Sequence, residues 1–421
     1  MKKTFLLITL LLTTNLFGQR NLDYFINKAI KNDASLNELR NQLQINKLQK
    51  DLDYAQSSGF QIYLTGNYLF APYFNNGGRI ITTIPDPNAI GYDVGITNGG
   101  FYSAQVNVDK NIFNGALVDA LSSQRMIFEE TTNNNISLMK RELIKQITDQ
   151  YLQTYLSFRL YKKSDELTSY LKEQMQILGK LVESGSANQS EFLLLSIEGE
   201  NQKIAANDYY SQYKTNLLTL NSLCGIKDTN VVMIDSVSLR INKEVNGSTL
   251  FKKFELDSLS IQNQQQIFET KYQPQISIFF NTGLNAIELN NIQRKFGMSA
   301  GINFSLPVFD GNQSSLTRQQ NQISTETLKS YKTNFATQLS NQRNSVVMRL
   351  ENLRNTINNF SKQIESYKVI IKMSERELQQ GQLSMIEYLT ILKNYIELQK
   401  NNIITNINYQ IEVNNYNYWN Y

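Results

Sequence analysis

The chain has no histidine and a single cysteine, Cys224. The first absence excludes Ser-His-Asp and Cys-His nucleophilic catalysis, imidazole metal sites and a histidine pH switch. The second excludes an internal disulfide and a thiolate-held metal. Proline is scarce, with five in 421 residues: Pro72, Pro85, Pro87, Pro274 and Pro307. No sign of charge dominates. Lys plus Arg number 41 against 37 Asp plus Glu, a formal charge of +4. That small excess is spread along the chain and calls for no nucleic-acid partner. The mean hydropathy of -0.38 excludes a polytopic helical membrane protein. No acidic pair stands at a cleft-like turn, so the chain does not read as an enzyme and needs no cofactor or metal.

What is present begins with a targeting pattern. Lys2 and Lys3 precede the apolar run Phe5–Leu12, and small and polar residues follow up to Gly18. Residues 1–18 read as a secretory signal peptide. The run is shorter than the ~18–20 apolar residues that span a bilayer. Gln19 stands where a lipid-anchored protein would carry a cysteine, so no lipid anchor is expected.

Long stretches without proline carry helical periodicity: 21–58, 114–184, 188–224, 310–380 and 384–419. Val346, Leu350, Leu353, Ile357, Phe360, Ile364, Tyr367 and Ile371 follow a 4-3-4-3 spacing, the seam of a coiled coil. Ile144, Ile147, Tyr151, Thr154, Phe158 and Tyr161 follow the same rule. A helix over 114–184 would be about 105 Å long at ~1.5 Å per residue. The regions marked by proline alternate with period two instead. Strands are predicted at about 60–71, 101–113, 275–284 and 296–308, each with one apolar and one polar face. Such strands suit a bilayer crossing. They also suit a soluble sandwich, whose strands are usually nearer ~5–6 residues.

The chain repeats itself at an offset of 196 residues. Ser103–Asn107 through Ile112-Phe113-Asn114-Gly115 aligns with Ser299–Asn303 through Val308-Phe309-Asp310-Gly311. Seventy residues beyond each of those glycines a second pair aligns, Gly185 through Glu191-Phe192-Leu193 with Gly381 through Glu387-Tyr388-Leu389. Residues 19–224 and 250–421 are therefore expected to be two repeats of helix, strand, strand, very long helix, tight turn and return helix. Residues 225–249 form an irregular segment between them. The first inter-strand loop, about 72–100, is rich in Gly and Pro and is expected to be exposed. Four strands cannot close a barrel, and lipid does not tolerate an open sheet edge. In a membrane the chain would have to oligomerise, with polar strand faces lining a pore.

With these features the sequence resembles the TolC-like outer-membrane factors, the exit ducts of tripartite efflux pumps and type I secretion systems. The resemblance covers nearly the whole chain after residue 18. It rests on Leu306-Pro307-Val308-Phe309-Asp310-Gly311, its partner Ile112-Phe113-Asn114-Gly115, and the duplicated glycine turns. It implies an α+β membrane protein in which long antiparallel coiled-coil helices form a periplasmic tunnel. Four transmembrane strands per chain would join a shared trimeric twelve-stranded β-barrel in the outer membrane. It implies a homotrimer in contact with outer-membrane lipid, a periplasmic adaptor and an inner-membrane transporter, with 225–249 as the equatorial region. It places Glu387 and Glu191 at the periplasmic aperture and Gly185, Ser186, Gly381 and Gln382 at tip turns that contact the adaptor. Phe113, Gly115, Pro307, Phe309, Asp310 and Gly311 form its strand-to-helix turns. Leu383 stands where the family often has an Arg that locks the closed state, and Thr390 where a second acid often stands.

Other readings of the same residues remain open. Asn188–Glu191 and Ser384–Glu387 both have the pattern of a capping box, which would make each Glu a helix cap. The glycine turns can equally be plain tight turns. Tyr68, Phe70, Tyr73, Phe101 and Phe296 are candidates for a membrane girdle. The aromatic terminus, Tyr416 to Tyr421, suggests no role. A secreted coiled-coil scaffold or adhesin without a pore would explain the heptads, though not the four amphipathic strands.

Overall fold

The computed structural model describes residues 20–84, 86–97, 100–242 and 248–420, so the predicted signal segment 1–18 lies outside the described residues. In chain order the elements are α1 (Leu22–Asn32), α2 (Ala34–Ser58), β1 (Gln61–Phe70), β2 (Tyr73–Asn76), β3 (Arg79–Thr82), α3 (Val94–Thr97), β4 (Gly100–Asn111), α4 (Gly115–Glu183), α5 (Gln189–Leu223), α6 (Ser248–Glu269), β5 (Gln275–Ala286), β6 (Phe296–Ser305), α7 (Gln313–Gln379) and α8 (Met385–Trp419). The fold is mostly helical, with one main sheet. The long helices α4, of 69 residues, and α7, of 67, run unbroken. Neither contains a proline, which would remove a backbone donor and clash with the preceding turn.

The chain divides into two compact units. One comprises residues up to Glu38, Asn135–Leu250 and Asn334 onward; the other comprises Leu39–Asn134 and Phe251–Thr333. The second unit holds the sheet. Its four strands run antiparallel in the order β1-β4-β5-β6, which leaves one side of β1 and one side of β6 unpaired among the described residues. The register keeps the pleat in phase across all four strands. Ile62 faces Val108, which faces Phe280, which faces Ala300. On the other face Thr65 pairs with Gln105, Asn67 with Ser103, Asn107 with Asn281, and Asn281 with Ser299. Polar side chains bond across that face: Asn107 Nδ2 donates to Thr65 Oγ1 at 2.7 Å and Ser299 Oγ to Asn281 Oδ1 at 2.6 Å. Phe279, the apolar residue on the polar face, sits over Gly301, where an added Cβ would lie 2.5 Å from its ring.

Several sequence expectations need correcting. The helix expected over 21–58 is two helices. Asp33 ends α1 through its N–H to Ala29 O at 2.8 Å and starts α2 by accepting from the Leu36 N–H at 2.7 Å. An Asp side chain competes for backbone donors in this way and so favours caps over helix interiors. The strand expected to reach 308 stops at Ser305, because Pro307 has no N–H for a ladder. The loop 72–100 contains a hairpin, β2–β3, turned by Gly77 and Gly78 at φ 54° and 84°. Tyr73, expected in a membrane girdle, is buried in that hairpin at 3% exposure. The first coiled-coil seam is shifted by one residue at its start: Leu143 is buried, and Ile144 is exposed.

The other unit packs its helices around apolar seams. Phe25 of α1, Ile147 and Tyr151 of α4, and Leu217 and Leu220 of α5 form one core. Val346 and Leu350 of α7 pack with Val413 of α8 in another. Residues 226–242 form no helix or strand, yet their backbone is held by side chains. The Tyr151 hydroxyl donates to Asp235 O at 2.7 Å, and the Tyr213 hydroxyl donates to Val232 O. On α8, Gln410 Oε1 accepts from the Leu239 N–H at 2.6 Å, and Asn417 Oδ1 accepts from the Asn242 N–H at 2.9 Å. Asn417 and Asn420 donate to Arg240 O and Asn242 O at 2.8 and 2.9 Å. Gln410 and Asn417 lie on one face of α8, seven residues apart, and Asn420 is the residue that caps its end.

Gly283 lets β4 and β5 approach closely. Its φ is +152°, and an added Cβ would lie 2.2 Å from Ala104 O. Gly297, its partner on β6, has nothing within 4 Å of such an atom. Gly283→Ala is expected to destabilise the sheet by ~2 kcal/mol or more and Gly297→Ala by no more than ~0.5 kcal/mol. Denaturant midpoints of the two variants check this, and equal midpoints would refute it.

Candidate functional site

The two tight helical turns close in the same way. After α4, the Gly185 N–H donates to Val182 O at 3.0 Å and the Ser186 N–H to Leu181 O at 2.7 Å. After α7, the Gly381 N–H donates to Leu378 O at 3.1 Å and the Gln382 N–H to Glu377 O at 2.8 Å. Each is a Schellman closure, which needs a left-handed residue. Gly185 and Gly381 supply it at φ 76° and 69°.

The return helices begin on carboxylate caps. Glu387 Oε2 accepts from the Ser384 N–H at 3.0 Å and from Ser384 Oγ at 2.9 Å. Ser384 Oγ in turn accepts from the Glu387 N–H at 3.3 Å. Glu191 Oε2 accepts from the Asn188 N–H at 3.0 Å. The Ser384 backbone donor, and then its hydroxyl, holds the Glu387 carboxyl below the usual carboxylate value. The capping reading therefore holds at both positions.

The two turns share one cavity of about 680 Å³. It is lined by Gly185, Ser186 and Glu191 from the first turn and Gly381, Gln382 and Glu387 from the second, so it brings together all six tip residues picked out from the sequence. It also brings in Glu375 and Tyr388, which sequence reasoning missed. The Tyr170 hydroxyl donates to the Glu375 carboxylate, and its oxygen lies 2.7 Å from the Tyr388 hydroxyl. Burial raises the pKa of both tyrosines. This network links α4, α7 and α8 over a core of Leu171, Leu195, Ile371 and Leu392. Its one sequence signal is the position of Tyr388 next to the capping Glu387. Leu383 packs against this core, so it makes no ion pair there.

The strand-to-helix turns belong to the other unit. Asp310 accepts from the Asn312 and Ser314 N–H groups at 2.9 and 2.8 Å and from the Tyr272 hydroxyl at 2.5 Å. These bonds, led by that from Tyr272, lower the Asp310 carboxyl, and the same bond pushes the Tyr272 phenol up to about 12. Gly311 and Asn312 turn the chain at φ 66° and 68°. Gly115 has no positive φ and simply opens α4. Asn114 ties its turn to the end of α2 by donating to Ser57 O. Phe113, Pro307 and Phe309 are exposed, Phe309 at 84%. Among the described residues no cluster of acidic, Cys or His side chains is arranged to hold a metal ion.

No family model and no curated protein matches this chain. Solved structures do. The outer-membrane protein VceC of Vibrio cholerae matches with a TM-score of 0.72 at 11% identity, over 95% of this chain and 96% of that one. CusC, studied for folding and transmembrane channel formation, matches with a TM-score of 0.71 at 13% identity, over 95% and 92%. The CmeC outer-membrane channel of Campylobacter jejuni matches with a TM-score of 0.69 at 14% identity, over 96% and 86%. The chain has the fold of these channel proteins.

Glu387 gives the cap a pH signature. Its folded pKa is lowered, so its stabilising contribution is complete above the ordinary value of 4.5 and is lost as pH falls through the lowered one. Ser384→Ala is expected to cost about 1 kcal/mol of local opening free energy at the start of α8. Glu387→Gln should weaken protection near pH 7 and match the parent well below pH 4. Amide hydrogen exchange over residues 384–390 tests both. A Glu387→Gln effect independent of pH would contradict the assignment.

Proposed function

We propose that this protein is the outer-membrane channel of a tripartite efflux pump or type I secretion system. It would act as a passive trimeric exit duct that extends from the outer membrane into the periplasm. The observation that carries this reading is the sheet: four strands, in phase, with one apolar and one polar face and two unpaired edges. The likeness to outer-membrane channels supports it.

The physical argument runs from the edges. An unpaired strand edge in hydrocarbon leaves N–H and C=O groups without partners, at several kcal/mol each. Pairing β6 of one copy with β1 of the next removes both edges. Three copies give a twelve-stranded barrel with the apolar faces toward lipid and the polar faces around a pore. The helical turns then form the periplasmic end and present Gly185, Ser186, Gly381 and Gln382 to a periplasmic adaptor, behind which an inner-membrane transporter supplies the cargo. Glu191 and Glu387 would place six carboxylates around the aperture, a ring that attracts cations and repels anions. Capping does not compete with this role, because it occupies only Oε2 of each carboxylate.

Cross-linking in detergent should saturate at trimer, and the purified protein should conduct in planar bilayers. A non-conducting rod in the soluble fraction would instead indicate a secreted coiled-coil scaffold or adhesin. In a salt gradient the channel should be cation-selective. Glu387→Gln should move the reversal potential toward zero, with a smaller change for Glu191→Gln. An unchanged potential in an assembled Glu387→Gln trimer would leave Glu387 as a cap alone.

A further inference from the structure

The apolar face of the sheet is formed by the even-numbered residues of its strands, and among them one is charged. On β4 the row Tyr102, Ala104, Val106, Val108 ends at Lys110, and the corresponding rows of β1, β5 and β6 hold no ionisable group other than tyrosine. Lys110 makes no salt bridge with any carboxylate among the described residues. Its Nζ instead lies 4.3 Å from the centre of the Phe60 ring. Beside it is a groove of about 460 Å³ lined by Phe60, Val108, Lys110, Ile278, Ala300 and Ile302, among others. The groove exists because Ala300 stands where its neighbour in the register, Phe280, carries a ring. Lys110 is the penultimate residue of β4, so the cation lies where the sheet gives way to α4.

A lone ammonium on an apolar face is costly in hydrocarbon unless it reaches an anion at the bilayer surface. An apolar trough ending in one unpaired cation complements a molecule with an acyl chain and a phosphate. We propose that Lys110 and this groove bind one glycerophospholipid per chain, with the phosphate on the Lys110 ammonium and an acyl chain over Ala300. The inference rests on the channel reading given above and adds a specific lipid site to it. The site selects phospholipid because both halves are needed: phosphate alone leaves the groove empty, and an uncharged diacylglycerol leaves the ammonium unpaired.

The test is native mass spectrometry of the full-length protein, delipidated in maltoside and titrated with phosphatidylglycerol. Wild type should retain about one lipid per chain. Lys110→Gln should bind about tenfold more weakly, the worth of one charge-assisted hydrogen bond. Lys110→Arg should stay close to wild type. Ala300→Phe, which fills the groove and leaves the cation in place, should weaken binding by a similar factor. Diacylglycerol should bind poorly, and millimolar inorganic phosphate should not displace the phospholipid. Equal retention by Lys110→Gln and wild type would overturn the proposal, as would displacement by inorganic phosphate or an unchanged Ala300→Phe. Bilayer conductance of the same samples separates the two levels. A conducting channel with unaltered lipid binding in Lys110→Gln loses the lipid site alone, whereas a protein that neither conducts nor binds lipid loses the channel reading as well.

Discussion

The backbone register of the four-stranded sheet is the constraint on which the rest depends. Because side chains alternate with a period of two, a slip of one residue in any pair would carry a whole row to the opposite face. The observed pairings keep Ile62, Val108, Phe280 and Ala300 in one row and Thr65, Gln105 and Gly283 in the next but two. Only in that alignment does the sheet have one apolar face and one polar face. The ladder then ends where Pro307 interrupts it and Asp310 gathers the donors of the following turn. The strand thereby becomes the start of a 67-residue helix within a few residues.

The helical turns show how one side chain can serve stability and be available for function. Oε2 of Glu387 meets two donors of Ser384, and the remaining oxygen has no partner among the described residues. The cap fixes the carboxylate and keeps it ionised. In the proposed channel, a charge held that rigidly at a cavity would lose less entropy on meeting an ion than a freely rotating one. The Tyr170–Glu375–Tyr388 network beneath it stiffens the same region with bonds between three helices.

Much of this was legible in the sequence, and the boundary of legibility has physical causes. Strand alternation, the absence of proline from the long helices and the paired glycines are local signals, and each belongs to an element found in the structure. The break at Asp33 was hidden because apolar spacing continues across it while a single carboxylate caps both helices. The phase of the seam near Leu143 was hidden because two adjacent apolar residues fit the heptad equally well. Tyr73 reads as an interfacial aromatic until the Gly77–Gly78 hairpin folds it inward. Tyr170 and Tyr388 stand 218 residues apart, and no pattern of spacing announces such a pair. The tip residues stand out in the sequence partly through likeness to a family, and their shared cavity is a fact of tertiary packing.

The aromatic terminus gave no clue by itself, yet it closes the amide ladder of α8. Trp419, the only tryptophan in the chain, packs against the Val346–Val413 core beside Leu239, and Asn417 and Asn420 on either side of it grip the backbone of 240–242. The protein therefore carries its own optical probe at the point where the irregular segment 226–242 is fastened. Indole emission depends on the polarity around the ring, so a loosened segment would admit water and shift the spectrum to the red. Without any label, the fluorescence of one side chain would tell whether that fastening holds.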